Sequence, residues 1–329
     1  MSHSNISIFV PHLGCPHQCS FCNQRHITGQ TKAPTVKDVE NAVDIAVASN
    51  KYDKSNCEIA FFGGSFTAIE RNYMTELLIA AHKYVKNGQV SGIRISTRPD
   101  CIDEDVLLLL KQYGVTAIEL GAQSMDDFVL VANNRGHCAE DVVKASKLIK
   151  EHGFSLGLQM MTGLYKSSNE DDINTAKKLI ELKPDTVRIY PTITLKNTYL
   201  EKLFLSGEYV PQSLNEVVSL VTKLEDMFTK ANINVIRVGL HSIETDSYVA
   251  GPWHPAFREL CDSLRFKNKL SAVLIREGNY IVRVNGSDVS KSTGQKRANI
   301  NHFKNRNIII KVIPDDTVKK SDFVIEEVK

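Results

Sequence analysis

Three cysteines near the N-terminus, Cys15, Cys19 and Cys22, are the residues of this sequence best suited to metal chemistry. Their spacing is C-x3-C-x2-C, on one loop directly after a strand-like segment. Three thiolates on one loop can bind three irons of a cubane, whereas electron-transfer clusters normally have a fourth cysteine ligand. The pattern therefore predicts a [4Fe-4S] cluster with one iron left open, as catalytic zinc sites keep an open position.

The open iron indicates which cofactor would bind there. S-adenosylmethionine can bind through its amino and carboxylate groups, and reductive cleavage at its sulfonium releases a 5′-deoxyadenosyl radical. A zinc knuckle that uses the cysteines with His12, His17 or His26 is the alternative. Such a site more often has a second C-x2-C or H-x3-H pair, and the sequence has none.

Short β-rich segments alternate with helical periodicity over the first two-thirds of the chain. Six or seven such units favour a parallel sheet in a full or partial (β/α) TIM-type barrel, and a doubly wound sheet is the alternative. The predicted strands are 6–13, 58–64, 93–99, 117–124, 155–164, 187–195 and 234–240. In a barrel, the cysteine loop would lie at the C-terminal face, where active sites form.

The alternation ends near Ser242, so the sequence predicts two domains. The barrel domain covers residues 1–242, and a small α+β domain covers residues 243–329. In the second domain, AVLIREGNYIVRV is expected to form a hairpin over Gly278 and Asn279.

Composition and charge exclude several classes of protein. The formal net charge is +2, which does not indicate a polyanionic partner. No apolar stretch reaches the roughly 18 residues of a membrane span, and the N-terminus does not resemble a secretory signal. We therefore expect a soluble, cytoplasmic protein with no membrane partner.

Several segments resemble the radical S-adenosylmethionine enzymes, in particular the radical domain of the Elongator catalytic subunit and its bacterial relatives. The segments are VPHLGCPHQCSFCNQ (10–24), FFGGSFT (61–67), STRPD (96–100), ELGAQS (119–124), NRGH (134–137) and IYPTITLKNTYLEKLFLSGEY (189–209). The resemblance runs from about Ile8 to Leu260 and implies the radical SAM barrel. It also implies hydrogen abstraction from a substrate, with tRNA or another RNA as a candidate, and a reducing partner such as flavodoxin or ferredoxin.

The resemblance implies roles for residues that would hold the methionine part of the cofactor. Gly63, Gly64 and Ser65 would meet its amino group, largely through the main chain, because glycines let a ligand approach the backbone closely. Arg135 resembles the arginine that grips the carboxylate, since a planar guanidinium suits bidentate pairing. A tight turn and a solvated loop arginine are the structural alternatives.

The nucleoside part of the cofactor has its own implied residues. Gln123 and Gln159, at the ends of strands four and five, resemble partners of the ribose hydroxyls, which an amide can serve as donor and acceptor. Phe21 and Tyr190 would line the adenine pocket. All four could instead be structural, and no catalytic residue can be assigned.

The remaining cysteines receive no firm role. Cys101 and Cys138 follow strands three and four on the predicted active face, where a second sulfur-based role or simple burial are both open. Cys57 lies at a strand start on the opposite side, and Cys261 lies in the tail.

The C-terminal part departs from the Elongator pattern. Too few residues follow Leu260 to form the acetyltransferase domain of that family, so acetyl transfer is not expected. The stretch 291–311 carries six Lys or Arg residues and no Asp or Glu. It could contact an RNA backbone, with His302 and Phe303 stacking on bases, or form the solvated face of a small domain.

Two other functions are consistent with the sequence. One is a non-catalytic haem chaperone related to the anaerobic coproporphyrinogen oxidase, although Gly14 and Phe21 differ from the residues usual in that group. The other is an RNA-binding protein that keeps the barrel as a scaffold.

Overall fold

The computed structural model describes residues 4–10, 15, 18–23, 32–240 and 245–328. The chain forms two compact units, Met1–Gln212 with Met227–Pro252, and Ser213–Asp226 with Trp253–Lys329. The simpler division predicted at residue 242 stays a prediction.

A seven-stranded parallel sheet forms the centre of the first unit. Its strands are β1 (Ser4–Val10), β2 (Cys57–Gly63), β3 (Gly92–Thr97), β4 (Val115–Gln123), β5 (Ser155–Thr162) and β6 (Thr186–Pro191), and, after the short β7 (Thr194–Leu195), β8 (Asn234–Val238). β7 pairs separately with β9 (Tyr248–Ala250). All seven segments predicted as strands contribute to this sheet.

Helices separate the strands of the sheet. They are α1 (Val36–Val47), α2 (Arg71–Lys86), α3 (Glu104–Gln112), α4 (Asp127–Ala132), α5 (Ala139–Glu151), α6 (Asn169–Glu181), α7 (Tyr199–Leu205) and α8 (Leu214–Lys230). Side-chain caps fix where several of them begin: Thr35, Asp103 and Ser168 each accept a hydrogen bond from a backbone N–H of the first turn.

The strand order confirms the predicted fold class. A doubly wound sheet reverses its strand order at a switch point, whereas each strand here pairs with the next one from β1 to β6, and then β6 with β8. Within the described residues, β1 and β8 are the two edges of the sheet, so the sheet is a half-barrel. Strands such as β2, from Cys57 to Phe61, are buried because helices and the barrel interior cover both of their faces.

The second unit is a small α+β structure. Its sheet has the order β11–β10–β12, with β10 (Gly278–Val284), β11 (Ile308–Pro314) and β12 (Phe323–Val328). Its helices include α9 (Phe257–Val273), α10 (Val289–Thr293) and α11 (Ala298–Lys304). Side chains from α9, α11 and the strands, with Phe303 and Val282 fully buried, form its core.

The hairpin predicted over Gly278 and Asn279 is wrong. The residues before the turn continue α9 to Val273, and Leu270 and Leu274 are buried in the core of this unit. β10 instead pairs in parallel with β11 and antiparallel with β12. The apolar spacing there is that of a helix end, which a short run does not distinguish from a strand.

Over the described ranges, none of the helices combines the length and the apolar character that crossing a membrane requires.

Candidate active site

A cavity of about 690 Å³, including its open mouth, lies at the carboxyl ends of β2, β3 and β4, with a contribution from β5. All of the predicted site residues except Tyr190 line it: Cys15, Cys19, Phe21, Cys22, Gly63, Gly64, Ser65, Gln123, Arg135 and Gln159. The fold thus brings together residues that are far apart in the sequence.

Ser20 anchors the cysteine loop in the first unit. Its hydroxyl donates to Asn133 Oδ1 at 2.6 Å, and its backbone N–H donates to Asn133 O at 3.0 Å. Its carbonyl accepts from the backbone N–H of Leu200 at 2.8 Å. Since Ser20 and Asn133 are fully buried, water does not compete for these bonds. The flanking Cys19 is therefore held between the end of α4 and the start of α7.

The glycine pair after β2 forms a turn against the end of β1. Gly63 has φ +112°, and a Cβ atom there would lie 2.9 Å from Val10 O. The N–H of Gly64 donates to the same carbonyl at 2.8 Å. Only glycine suits this φ and this close approach. The turn presents Ser65, whose hydroxyl bonds to Thr97 Oγ1 at 2.8 Å.

The Cys15 thiol lies against this turn. Burial raises its pKa, and a hydrogen bond from the Ser65 backbone opposes that rise, as do the charges of Arg98 and Arg135. The cysteine loop and the glycine turn therefore meet at one sulfur atom. Metal coordination requires the thiolate, which a bound cluster would favour.

Arg135 lies in the wall of the cavity and is only 7% exposed. Its Nη2 donates to Gly121 O at 2.5 Å, and its Nη1 donates to Cys19 Sγ at 3.2 Å. Its Nε is buried and has no hydrogen-bond partner among the described residues. Two of its five N–H groups are thus used, and the others can still meet a ligand.

Arg98 is a second guanidinium of the cavity, and sequence reasoning missed it. Asp100 holds it by a bidentate pair, Nε to Oδ1 at 2.9 Å and Nη2 to Oδ2 at 2.8 Å. Its Nη1 is buried and unpartnered within the described part of the chain. The signal was present in the STRPD segment, where arginine and aspartate are two positions apart at a strand end.

Gln123 ends β4 with φ +63°, an unusual conformation for a residue with a side chain. Its Oε1 is buried without a hydrogen-bond partner in the ranges that the structure describes. At the neighbouring Gly121, a Cβ atom would lie 3.0 Å from Gln123 Nε2 and 3.3 Å from Arg135 Nη2. Gly121 therefore leaves room for both polar groups at the cavity wall.

Gln159 is oriented by an ion network inside the half-barrel. Its Nε2 donates to Glu119 Oε2 at 2.9 Å, so the amide oxygen is directed away from that carboxylate. Glu119 is 1% exposed and accepts two hydrogen bonds from Arg188, at 2.6 and 2.8 Å. Arg94 links Glu119 to Glu58, at 3.4 and 2.9 Å. The paired charges explain how a carboxylate can be stable there.

Phe21 and Tyr190 lie in one apolar cluster. Both are partly buried and pack against Val129, Met161 and Leu164. Phe21 reaches the cavity, whereas Tyr190 is not among the lining residues. The adenine-pocket role of Tyr190 stays a prediction.

The other cysteines are dispersed. Cys138 caps α5 and donates to Asp141 Oδ2 at 3.2 Å, and Cys261 is fully buried in the second unit. Burial raises the pKa of the Cys101 thiol, which lies beside Ser65 and Arg98. In the described ranges, no three Cys, His, Asp or Glu side chains form a group that could hold a single metal ion. His12, His17, His26 and Gly14 lie outside the described residues.

The basic stretch of the second unit is only partly available to a partner. Lys291 pairs with Asp288 at 3.0 Å and with Asp262 at 3.6 Å. Phe303 is fully buried, so the expectation that it stacks on a base is wrong; its aromatic ring belongs to the core. The exposed cations of the stretch are Lys296, Arg297, Lys304, Arg306 and Lys311.

The polar groups that line the cavity suit an anionic, polar ligand beside the three cysteines. It is lined by three cysteines, two guanidinium groups and three amides, and none of the described residues that line it is an Asp or Glu. Three of its lining residues each have a buried polar atom with no partner in the described part of the protein: Arg98 Nη1, Gln123 Oε1 and Arg135 Nε. Buried polar groups are normally hydrogen-bonded, so their placement fits a ligand with both donors and acceptors.

Relatives of this chain include tRNA-modifying enzymes. An uncharacterized protein of Methanocaldococcus jannaschii is 28% identical over 279 residues, which are 81% of this chain and 83% of that protein. The tRNA uridine(34) acetyltransferase of Dehalococcoides mccartyi is 24% identical, over 67% of this chain and 55% of the acetyltransferase. The chain thus spans about half of the length of that enzyme.

Among solved structures, an archaeal Elp3 of Methanocaldococcus infernus with an N-terminal deletion has the same fold. Its TM-score is 0.68 at 22% identity, with coverage of 82% of this chain and 64% of that one. Residues 9–179 match the Radical SAM superfamily, and residues 184–265 match the Radical_SAM C-terminal domain. The match over residues 9–179 spans more than half of the chain and includes every described residue that lines the cavity. The chain therefore belongs to the radical SAM superfamily.

Proposed function

We propose that this chain is a radical SAM enzyme that binds a [4Fe-4S] cluster through Cys15, Cys19 and Cys22 and S-adenosylmethionine in the adjoining cavity. The observation that carries this proposal is the convergence of the three cysteines, the glycine turn and the unpartnered polar atoms on one cavity. When bound, the two groups together supply reductive carbon–sulfur cleavage and a 5′-deoxyadenosyl radical for hydrogen abstraction.

The methionine end of the cofactor would lie at the glycine turn. The main chain of Gly63, Gly64 and Ser65 would meet its amino group, because the turn brings backbone atoms to the cavity surface. Arg135 would bind the carboxylate, and Arg98 Nη1 adds a second guanidinium donor. Both side chains are buried and held by other groups, so they meet a ligand without first becoming ordered.

The nucleoside end would lie along β4 and β5. Gln123 offers a carbonyl oxygen without a partner within the described residues, which suits a ribose hydroxyl donor. Glu119 fixes the amide of Gln159 so that its oxygen serves as an acceptor. Phe21 would cover the adenine from the apolar cluster that it shares with Tyr190. A low-potential donor such as flavodoxin or ferredoxin would supply the electron.

Cluster binding can be tested by anaerobic reconstitution. The wild-type chain should retain about four irons, the content of one [4Fe-4S] cluster. Cys15→Ala, Cys19→Ala and Cys22→Ala should each lose most of this iron, whereas Cys57→Ala, at the opposite end of the sheet, should retain it. If Cys19→Ala retained as much iron as the wild type, the assignment would be wrong.

An RNA substrate is a second, finer proposal. It is supported by the tRNA-modifying relative and by five exposed cations in the basic stretch of the second unit. Lysine and arginine contacts to phosphates supply affinity that is independent of sequence and sensitive to salt. The chemistry on the RNA would still depend on the cavity of the first unit.

A further inference from the structure

Arg135 differs from the other buried arginines of the half-barrel unit in what balances its charge. Arg94 contacts Glu58 at 2.9 Å, Arg98 contacts Asp100 at 2.8 Å, and Arg188 contacts Glu119 at 2.6 Å. Arg135 is equally buried, yet in the described ranges it contacts no carboxylate. Its hydrogen-bond partners are one carbonyl oxygen and the sulfur of Cys19.

A buried charge is costly unless it is paired and hydrogen-bonded. A neutral carbonyl satisfies one N–H of Arg135 but does not balance its charge. The remaining contact, Nη1 to Cys19 Sγ at 3.2 Å, joins the guanidinium to a sulfur that carries negative charge when it ligates iron. The contact is an N–H···S hydrogen bond to a sulfur that, under the proposed function, ligates the cluster.

We infer that Arg135, through this N–H···S bond, raises the reduction potential of the cluster. The inference rests on the proposed function, because it requires Cys19 to be a cluster ligand. Hydrogen bonds to cluster sulfurs are among the factors that set reduction potential. The reduced cluster has one more negative charge than the oxidised cluster, so a hydrogen-bond donor at the sulfur stabilises the reduced form more. A reductant can therefore transfer an electron to the cluster more easily.

Both partners of the bond are held in place. Arg135 Nη2 donates to Gly121 O, and its backbone N–H donates to Leu130 O at 3.0 Å. On the other side, Cys19 precedes the buried Ser20, which Asn133 anchors. Because neither group needs to reorganise, the bond would be present before and after electron entry. Arg135 is thus a positioning residue for the cluster as well as a candidate contact for the carboxylate.

The test is a dithionite titration of the reconstituted chain without S-adenosylmethionine, in which EPR measures the reduced cluster. Arg135→Gln should lower the ratio of reduced to oxidised cluster about tenfold at a fixed potential, which is roughly 59 mV for a one-electron couple. Arg135→Lys keeps the positive charge but loses the planar guanidinium donors, so it should lower the reduction potential of the cluster by less. Arg98→Gln is the matched control, since it removes a nearby charge that is held by Asp100.

The outcomes separate this inference from the proposed function. If the wild-type chain binds no cluster, the proposed function fails. If the cluster forms but Arg135→Gln leaves its potential unchanged, only the role of Arg135 is overturned. An equal shift in Arg98→Gln would also overturn it, because charge alone would then account for the effect.

A second measurement applies if Arg135→Gln does not retain its iron. The wild-type chain, labelled with 15N in its guanidinium groups, should show a nitrogen hyperfine coupling to the reduced cluster in pulsed EPR. The Arg135→Lys variant, labelled in the same way, should lack this coupling. Absence of the coupling in the wild type would contradict the bond.

Discussion

At the scale of single residues, the cavity depends on two arginines that the fold holds in different ways. Asp100 fixes Arg98 through two hydrogen bonds and leaves Nη1 unpartnered within the described part of the chain. Arg135 is fixed by a carbonyl and a sulfur, with Nε left over. Both arginines line the cavity, and none of its described lining residues is acidic, so both can serve a carboxylate ligand.

We expect Arg98→Gln to weaken binding of S-adenosylmethionine about 10- to 100-fold without loss of cluster iron. The reason is that a hydrogen bond to a charged group contributes about 1.5–3 kcal/mol. Equilibrium dialysis of the cluster-loaded chain measures this change. Arg71→Gln, at an exposed position on α2, is the control and should bind like the wild type. Unchanged affinity in Arg98→Gln would remove this residue from the site.

Residue types made part of the site predictable from the sequence. Three cysteines within eight positions and a glycine pair at a strand end are rare enough to be recognised, and the cavity contains all five. Arg98 was not recognised as a site residue. The turn after β3 brings its guanidinium to Asp100, which pairs with Nε and Nη2, and the sequence does not show that Nη1 is left over. The sulfur contact of Arg135 spans 116 positions and has no local signal.

At the scale of elements, the ends of the strands determine where the site forms. The strand predictions succeeded because alternation and apolar runs are local patterns. The anchoring of the cysteine loop was not predictable, since Ser20 and Asn133 are 113 positions apart. The prediction of a hairpin over Gly278 was wrong for a related reason. Packing against residues distant in the sequence extends α9 to Val273.

Asp172 joins the end of β5 to α6 and provides a pH test of this packing. It is 3% exposed and accepts from the Gly163 N–H at 2.9 Å and the Ser167 hydroxyl at 2.7 Å. Burial raises its pKa from 3.8 to about 6. The folded state therefore binds this proton more tightly than the unfolded state, and the stability gained from it is lost as pH rises through about 6.

Asp172→Asn should remove this pH dependence. From pH 5 to 7.5, the thermal unfolding midpoint of the wild type should fall relative to that of the variant. Only about one unit of the pKa shift lies above pH 5, so the free energy of unfolding lost over this range is about 1.4 kcal/mol. Asp171→Asn is the neighbouring control. Hydrogen bonds from Ser168 lower the Asp171 pKa, so its contribution is lost only at lower pH and the difference should be flat in this range. Parallel curves for Asp172→Asn and the wild type would contradict the assignment.

At the scale of the whole molecule, the sequence predicts the class of chemistry better than the substrate. The cavity and the family match point to residues suited to a cluster and a cofactor. Recognition of the substrate depends on surface residues that form no rare sequence motif. The basic stretch shows this limit, since burial removes Phe303 from it and ion pairs occupy Lys291.

Replacement of Lys296, Arg297, Lys304 and Arg306 by glutamine tests the RNA proposal. Binding of bulk tRNA should weaken, and the salt dependence of log K should become less steep by about 0.7–0.9 for each phosphate that the variant no longer neutralises. Fluorescence anisotropy at several salt concentrations measures both quantities. Lys144→Gln with Lys147→Gln, on the exposed face of α5, is the control. An identical salt slope in the four-residue variant would exclude this stretch as the RNA-binding surface.

The central claim is that the cavity beside Cys15, Cys19 and Cys22 supports reductive cleavage of S-adenosylmethionine. The most direct measurement is the release of 5′-deoxyadenosine by the anaerobically reconstituted chain with S-adenosylmethionine and a low-potential reductant, detected by mass spectrometry with and without bulk tRNA. We expect release by the wild type and none by Cys19→Ala. A wild-type preparation that keeps its cluster yet releases no 5′-deoxyadenosine under either condition would contradict the claim.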